Sequence, residues 1–180
     1  MFVIIEGPKC SGKTTMCAKL AERFGGTVIH FPTNSEYGSM ALEMLRNCQT
    51  DDDYEKCQDM MELDIISTLA DLDFGKLWIL DRSFISNAVY RQTDKVRINP
   101  VFQSILDQSM VVVLTASTEN LEKWSEARTE KPLNTIEKAK LEWSNERFQN
   151  FAKDFIPIPG SSAITELTPK KYIVFRTGLI

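Results

Sequence analysis

The sequence predicts an α/β fold, a parallel β-sheet with helices on both faces. Three observations predict it. Strand-like runs alternate with helix-like runs along the chain. The strand-like runs are apolar throughout rather than alternately apolar and polar, as strands covered on both faces are. The first of them, Phe2 to Ile5, leads through Glu6 into Gly7-Pro8-Lys9-Cys10-Ser11-Gly12-Lys13-Thr14. That is the Gly-x-x-x-x-Gly-Lys-Thr spacing of a phosphate-binding loop, with a strand before it and a helical pattern after it.

The elements follow in order. Lys13 to Arg23 reads as a helix with Met16, Leu20 and Phe24 on one face, stopped by Gly25-Gly26. Thr27 to Phe31 is a second strand, ended by Pro32. Ser35-Glu36-Tyr37-Gly38 leads into a helix carrying Met40, Leu42, Met44 and Leu45, and the polar run Gln49 to Asp53 reads as a loop. A long helix spans about Tyr54 to Leu72, with Met60, Met61, Leu63, Ile65, Ile66 and Leu69. Gly75 marks a turn before the third strand, Leu77 to Leu80, which ends on Asp81-Arg82-Ser83.

Ser86 to Gln92 opens another helix, and Thr93 to Pro100 is irregular. A short helix, Val101 to Asp107, precedes the most apolar strand, Met110 to Leu114. Thr118 to Ala127 is helical, capped by Ser117 or Thr118, and Arg128 to Asn134 is a charged loop with a proline. Thr135 caps a last helix, Ile136 to about Phe155, which Pro157 and Pro159-Gly160 break. Lys171 to Phe175 is a final strand, and Ala163 to Leu167 suits one more short one.

No repeat and no internal boundary interrupts the 180 residues, so one domain, residues 1–180, is expected. A net charge of −4 argues against a dedicated nucleic-acid binder, which presents a basic face, while leaving room for a local basic site. Four cysteines, Cys10, Cys17, Cys48 and Cys57, form no Cys-x-x-Cys pair and no metal spacing. They read as reduced thiols of a cytoplasmic protein. A strand that begins at residue 2 leaves no room for a signal peptide, and no apolar run is long enough to span a bilayer.

The chemistry gathers where the strands end. Gly7 and Gly12 permit backbone angles that a Cβ forbids, so the loop from Gly7 to Thr15 can turn successive N–H groups toward phosphate oxygens. The helix that follows adds its own free N–H groups and positive dipole end. Lys13 is expected to reach the β- and γ-phosphates of ATP, and the Thr14 hydroxyl to sit on Mg²⁺. Asp81, an acid at the tip of an apolar strand, is costly to bury unless paired, and beside a phosphate loop its expected partner is Mg²⁺ or its water shell. Arg82 is placed to clamp phosphoryl oxygens where charge builds during transfer. The charged stretch at residues 126–134 has the length and charge of a lid that closes over phosphates and excludes water.

Other features are set aside. Asp73-Phe74-Gly75 imitates a protein-kinase motif but lacks the accompanying His-Arg-Asp loop. His30, the single histidine, reads as structural, and Trp78, Trp124 and Trp143 read as core or half-core residues.

These motifs resemble the thymidylate kinase family, within the wider group of P-loop nucleoside and nucleotide kinases. The resemblance rests on Phe2 to Thr15, on His30-Phe31-Pro32 with Gly38, on Leu80-Asp81-Arg82-Ser83 with Ser86 and Tyr90, and on Glu119 to Phe151 with Arg128. It implies a five-stranded parallel sheet, a homodimer, and transfer of the ATP γ-phosphoryl group to a nucleoside 5′-monophosphate. It implies that Lys13 and Arg82 hold phosphates while Thr14 and Asp81 organise Mg²⁺. Some members carry a catalytic arginine in the phosphate loop and others in the lid. With Cys10 in the loop position, this chain is similar to the lid type, with Arg128 in that role.

The acceptor side departs from the pattern. Lys9 stands where the family often has an acid that holds the sugar, Thr33-Asn34-Ser35 offers no phosphate-gripping arginine, and Cys57 to Asp64 holds neither the aromatic nor the arginine that clamps thymine. Lys9, Phe31, Arg82, Tyr90 and Arg91 are the expected acceptor contacts. Phe31 also stands where related nucleoside kinases carry a glutamate base, which favours an anionic phosphate acceptor over a hydroxyl. Two other functions stay open: a kinase acting on a hydroxyl of a nucleoside or of a modified or terminal nucleotide in a polymer, and a regulatory module without transfer activity.

Overall fold

The computed structural model describes residues 1–91, 100–155 and 171–176. Strand β1 (Phe2–Glu6) is followed by α1 (Lys13–Phe24), β2 (Thr27–His30), α2 (Glu36–Asn47) and α3 (Asp51–Ala70). Then come β3 (Trp78–Asp81), α4 (Phe84–Arg91), α5 (Pro100–Asp107), β4 (Ser109–Thr115), α6 (Thr118–Thr129), α7 (Thr135–Phe155) and β5 (Lys171–Arg176). The strands run parallel in the order β2-β3-β1-β4-β5. Four of them, within residues 27–30, 78–81, 2–6 and 109–115, carry the site; β5 pairs with the far edge of β4.

The apolar strands serve two cores, one on each face. Phe2 and Ile4 of β1, Leu80 of β3, and Val111 and Val113 of β4 join Ile65 and Leu69 of α3, Phe84, Ile85 and Val89 of α4, and Phe148 of α7. The alternate residues Val3, Ile5, Ile79, Val112 and Leu114 face the other way, against Met16, Cys17 and Leu20 of α1. Burial of these side chains on both faces is the main force that holds the sheet, at about 25 cal/mol per Å² of apolar surface.

Several boundaries differ from the expected ones, each for a local reason. Of the polar run Gln49 to Asp53, read as a loop, Asp51 to Asp53 form the first turn of α3. Thr50 caps the helix through a reciprocal pair of bonds with Asp53, and Asp51, Asp52 and Asp53 suit its positive end. Helix α4 begins at Phe84 because Ser83 Oγ accepts the Ile85 N–H at 3.1 Å. Helix α6 continues through Arg128 to Thr129, with no breaker in its path, and ends at Glu130 in the left-handed region (φ 55°). The expected lid at residues 126–134 is therefore helical in its first half, leaving Glu130 to Asn134 between helices. Asn134, not Thr135, caps α7: its Oδ1 accepts the Glu137 N–H, and Glu137 Oε2 accepts the Asn134 N–H. The irregular segment expected at 93–99, the helix breakers at 157–160 and the extra strand suggested at 163–167 lie outside the described residues. No helix among the described residues is long and apolar enough to cross a membrane.

Candidate active site

Parallel pairing brings the carboxyl tips of the strands together. His30 of β2 and Ile5 of β1 both stand level with Asp81 of β3. The phosphate loop leaves β1 at this edge. Gly7 is held at φ 145°, and a Cβ there would meet Leu114 O at 2.5 Å and Ser11 Oγ at 2.8 Å, so the loop lies on β4 only because this residue has no side chain. Gly12, at φ 90°, opens α1 without a side-chain cap, and no acid stands in the first turn. In α3 the same position is saturated with acids. The N-terminus of α1 is left with free N–H groups and an uncancelled positive dipole end, as an anion site needs.

Lys13 folds back over the loop, donating to Pro8 O at 2.6 Å. Burial of its ammonium pulls its pKa down from 10.5 to about 7, with the Arg82 charge adding to the effect. A phosphate group would reverse both costs. The Thr14 hydroxyl donates to Asp81 Oδ2 at 2.7 Å, and His30 Nδ1 lies 3.0 Å from the same oxygen. His30 thus touches the expected metal residue, which the sequence reading did not foresee.

Arg82 follows in the left-handed region, φ 74°. Its N–H is anchored to Ile5 O at 3.1 Å. Its Nη1 donates to Ser86 Oγ at 3.1 Å and to Tyr90 OH at 3.3 Å, with the guanidinium 5.6 Å from the Tyr90 ring centre. Tyr90 in turn stacks on Trp143, ring centres 6.0 Å apart, and its hydroxyl meets Ser144 Oγ at 3.3 Å.

Beside these groups opens a cavity of about 980 Å³ between α2, α3, α4 and α7. All five residues expected to meet the acceptor line it: Lys9 at the phosphate loop, Phe31 after β2, Arg82 after β3, and Tyr90 and Arg91 on α4. Arg91 differs from the other cations. Asp59 bonds it directly, and Glu62 and Glu55 lie 3.8 Å and 4.0 Å from its nitrogens, so its charge is matched by α3. Arg128 stands exposed in the last turn of α6, while Ser125 and Leu133, on either side of it in sequence, line the cavity.

Besides His30, four residues escaped the sequence reading. Gln58 is buried on the cavity wall with its Oε1 unpartnered, while its backbone oxygen accepts from Asn87 Nδ2 at 3.3 Å. Trp143, set aside as half-core, lines the cavity. Asp64, fully buried, accepts from Thr33 N at 2.7 Å and from the hydroxyls of Thr33 and Ser35 at 2.5 Å each. It fixes the turn between β2 and α2, where a Cβ on Gly38 would meet Thr33 O at 2.2 Å. Glu6 is the fourth. An acid ending an apolar strand was the signal that singled out Asp81, and it applies equally to Glu6.

A phosphate loop after β1, an acid at the tip of the neighbouring strand and an acceptor-sized cavity beside them are the features of the P-loop nucleoside and nucleotide kinase fold. Residues 2–161 match the AAA domain family, and the chain belongs to it. No curated protein matches the sequence. Among solved structures, the fold is similar to deoxyadenosine kinase from M. mycoides with bound dATP, at TM-score 0.64 and 16% identity over 97% of this chain and 90% of that one. It is similar to YorR protein from Bacillus subtilis in complex with phosphorylated GDP, at TM-score 0.58 and 21% identity over 99% and 87%. It is also similar to thymidylate kinase from Ehrlichia chaffeensis, at TM-score 0.56 and 14% identity over 98% and 86%. The likeness is one of fold and spans kinases named for different acceptors, so the thymidylate kinase resemblance widens to the group.

Proposed function

We propose that the chain is an ATP-dependent phosphotransferase whose acceptor is a nucleoside 5′-monophosphate, deoxy in preference to ribo. One observation carries this reading: Lys9, from the loop that carries Lys13 and Thr14, and Arg82, next in the chain to Asp81, both stand on the wall of one cavity. A monophosphate is already anionic and needs cations more than a base. Lys9, exposed at the loop edge, and Arg82, bonded along α4, supply them. Gln58 and Asn87 are the polar groups available to a base, with Phe31 and Trp143 as apolar walls.

In the reaction, an acceptor phosphate oxygen forms a bond to the γ-phosphorus while the bond to the β,γ-bridging oxygen breaks, releasing ADP. Thr14 Oγ1 and Asp81 Oδ2 offer hard oxygen donors side by side, a set that fits Mg²⁺, which takes few protein ligands and completes its shell with phosphate and water. Held by Thr14 and Asp81, the ion would neutralise charge on the phosphate oxygens. Lys13 regains its charge against those oxygens, Arg82 spans donor and acceptor phosphates, and Arg128, in the last turn of α6, enters when that end of the helix closes with the connection after it.

A second reading, a hydroxyl acceptor, is favoured by the Arg91 cage and by Asp51, Glu55 and Glu137, carboxylates on the cavity wall that can take a proton. Labelled ATP offered with nucleosides, nucleoside monophosphates and oligonucleotides separates the readings. Phosphorylated monophosphates, with Lys9→Ala raising their KM more than that of ATP, are the expected result. Rapid labelling of nucleosides or polymers with monophosphates inert overturns it.

A further inference from the structure

Glu6 ends β1 one residue before the phosphate loop and is wholly buried. The phosphoryl-transfer reading leaves it without a role. A carboxylate in that place needs both oxygens satisfied. Ser83 Oγ donates to Oε1 at 2.7 Å, and Ser86 Oγ donates to Oε2 at 2.5 Å. The two serines then diverge. Ser83 Oγ accepts the Ile85 N–H and so starts α4. Ser86 Oγ accepts Arg82 Nη1 at 3.1 Å.

A hydroxyl has a single proton. Once Ser86 has given that proton to Glu6, it can face Arg82 only as an acceptor. The path from Arg82 Nη1–H to Ser86 Oγ–H to Glu6 Oε2 therefore runs in one direction. Without the acid the serine hydrogen is free to rotate toward the guanidinium, where donor would meet donor. Arginine carries about 2 kcal/mol of rotamer entropy, so a side chain left with Tyr90 as its single named contact, a bond of 3.3 Å to the hydroxyl, would hold the cavity wall less firmly. The backbone is fixed from the same strand, because the neighbour of Glu6, Ile5, accepts the Arg82 N–H.

We propose that Glu6 is a positioning residue for Arg82: through the Ser86 hydroxyl it holds the guanidinium on the cavity wall in the orientation that meets phosphate. This rests on the reading of Arg82 as a phosphate clamp. The bonds themselves do not depend on that reading, and the experiment keeps the two apart.

Glu6→Gln, Ser86→Ala and Ser86→Thr are prepared in the full chain, each also combined with Arg82→Ala. The first readout needs no activity: the side-chain ¹⁵N–¹H signals of Arg82, assigned by their loss in Arg82→Lys. Restricted, separately resolved Nη signals are expected in the wild type and in Ser86→Thr, and averaged signals in Glu6→Gln and Ser86→Ala. Unchanged Arg82 signals in Glu6→Gln and Ser86→Ala overturn the proposal. The second readout is phosphoryl transfer. Glu6→Gln should lower kcat/KM for the acceptor about tenfold, the size expected for a hydrogen bond to a charged group, and should add nothing once Arg82 is alanine. Equal losses in both backgrounds mean a role for Glu6 that bypasses Arg82 and overturn the proposal. If the signals respond as expected while Arg82→Ala transfers at the wild-type rate, the clamp reading fails and the Glu6–Arg82 linkage stands. If Glu6→Gln does not fold, the Ser86 pair decides.

Discussion

Thr14 Oγ1 donates to Asp81 Oδ2 at 2.7 Å, joining the first turn of α1 to the tip of β3 across 67 residues of sequence. The bond sets the spacing between the two oxygens proposed to organise Mg²⁺. His30 Nδ1, 3.0 Å from the same carboxylate oxygen, steadies it from β2.

Asp81→Asn keeps the shape of this contact and removes its charge. The expected result is that the Mg²⁺ concentration for half-maximal transfer rises about 10- to 100-fold, the range measured for residues that orient metal ligands. Melting temperature without nucleotide should change little. A titration of the transfer rate with Mg²⁺ checks this, and an unchanged midpoint would move the metal role away from Asp81.

Arg128 tests the α6–α7 connection. It stands exposed, so Arg128→Ala should leave stability and ATP affinity near those of the wild type. Its loss should lower kcat on the order of 10³-fold, as for arginines that meet the transferring phosphoryl group. Pre-steady-state transfer rates measured alongside ATP binding make the comparison. A variant with full kcat would transfer the role to Lys9, Arg82 or Lys131.

The Glu6 carboxyl makes stability depend on pH in a predictable direction. Burial raises its pKa in the folded protein above the ordinary 4.5, despite the opposing pull of the Ser86 and Ser83 hydroxyls and of the Arg82 and Lys13 charges. Below pH 4.5 both folded and unfolded chains hold the proton and no difference arises. Between 4.5 and the raised folded value, the folded state holds more protons, so stability falls as pH rises. Above the folded value the loss is complete. Glu6→Gln does not titrate, so the variant's melting temperature minus that of the wild type should climb through this window. Thermal scans of both proteins from pH 4 upward give the difference directly, and a flat or falling difference contradicts the burial effect.

Much of this molecule was legible in the sequence because the signals were local. Gly7, Gly12 and Lys13 announce the loop by spacing, and uninterrupted apolar runs announce strands buried on both faces. Helix ends were harder, because a run such as Asp51 to Asp53 suits a solvated loop and a helix N-terminus equally well; the Thr50–Asp53 cap decides between them. The cavity wall was legible only in part. Lys9, Phe31, Arg82, Tyr90 and Arg91 were expected there and all line the cavity, but the neutralisation of Arg91 needs Glu55, Asp59 and Glu62 from α3, and no local pattern joins that helix to α4. Gln58 and Asp64 were opaque for a related reason. A polar residue on a helix reads as solvent-facing until the cavity or loop it faces is known.

The division of the apolar side chains between two faces of the sheet bears on how such a protein can change. Helix α1, which carries the phosphate loop, packs against Ile5, Ile79, Val112 and Leu114. Helices α3, α4 and α7, which wall the cavity, pack against Phe2, Ile4, Leu80 and Val113 on the opposite face. The two sides meet at the strand tips, where Glu6 bonds Ser83 and Ser86 and Asp81 bonds Thr14. On the proposed reading, substitutions of α3 or α7 side chains that reshape the cavity should change which acceptor is used while the loop at the start of α1 keeps its grip on the donor nucleotide.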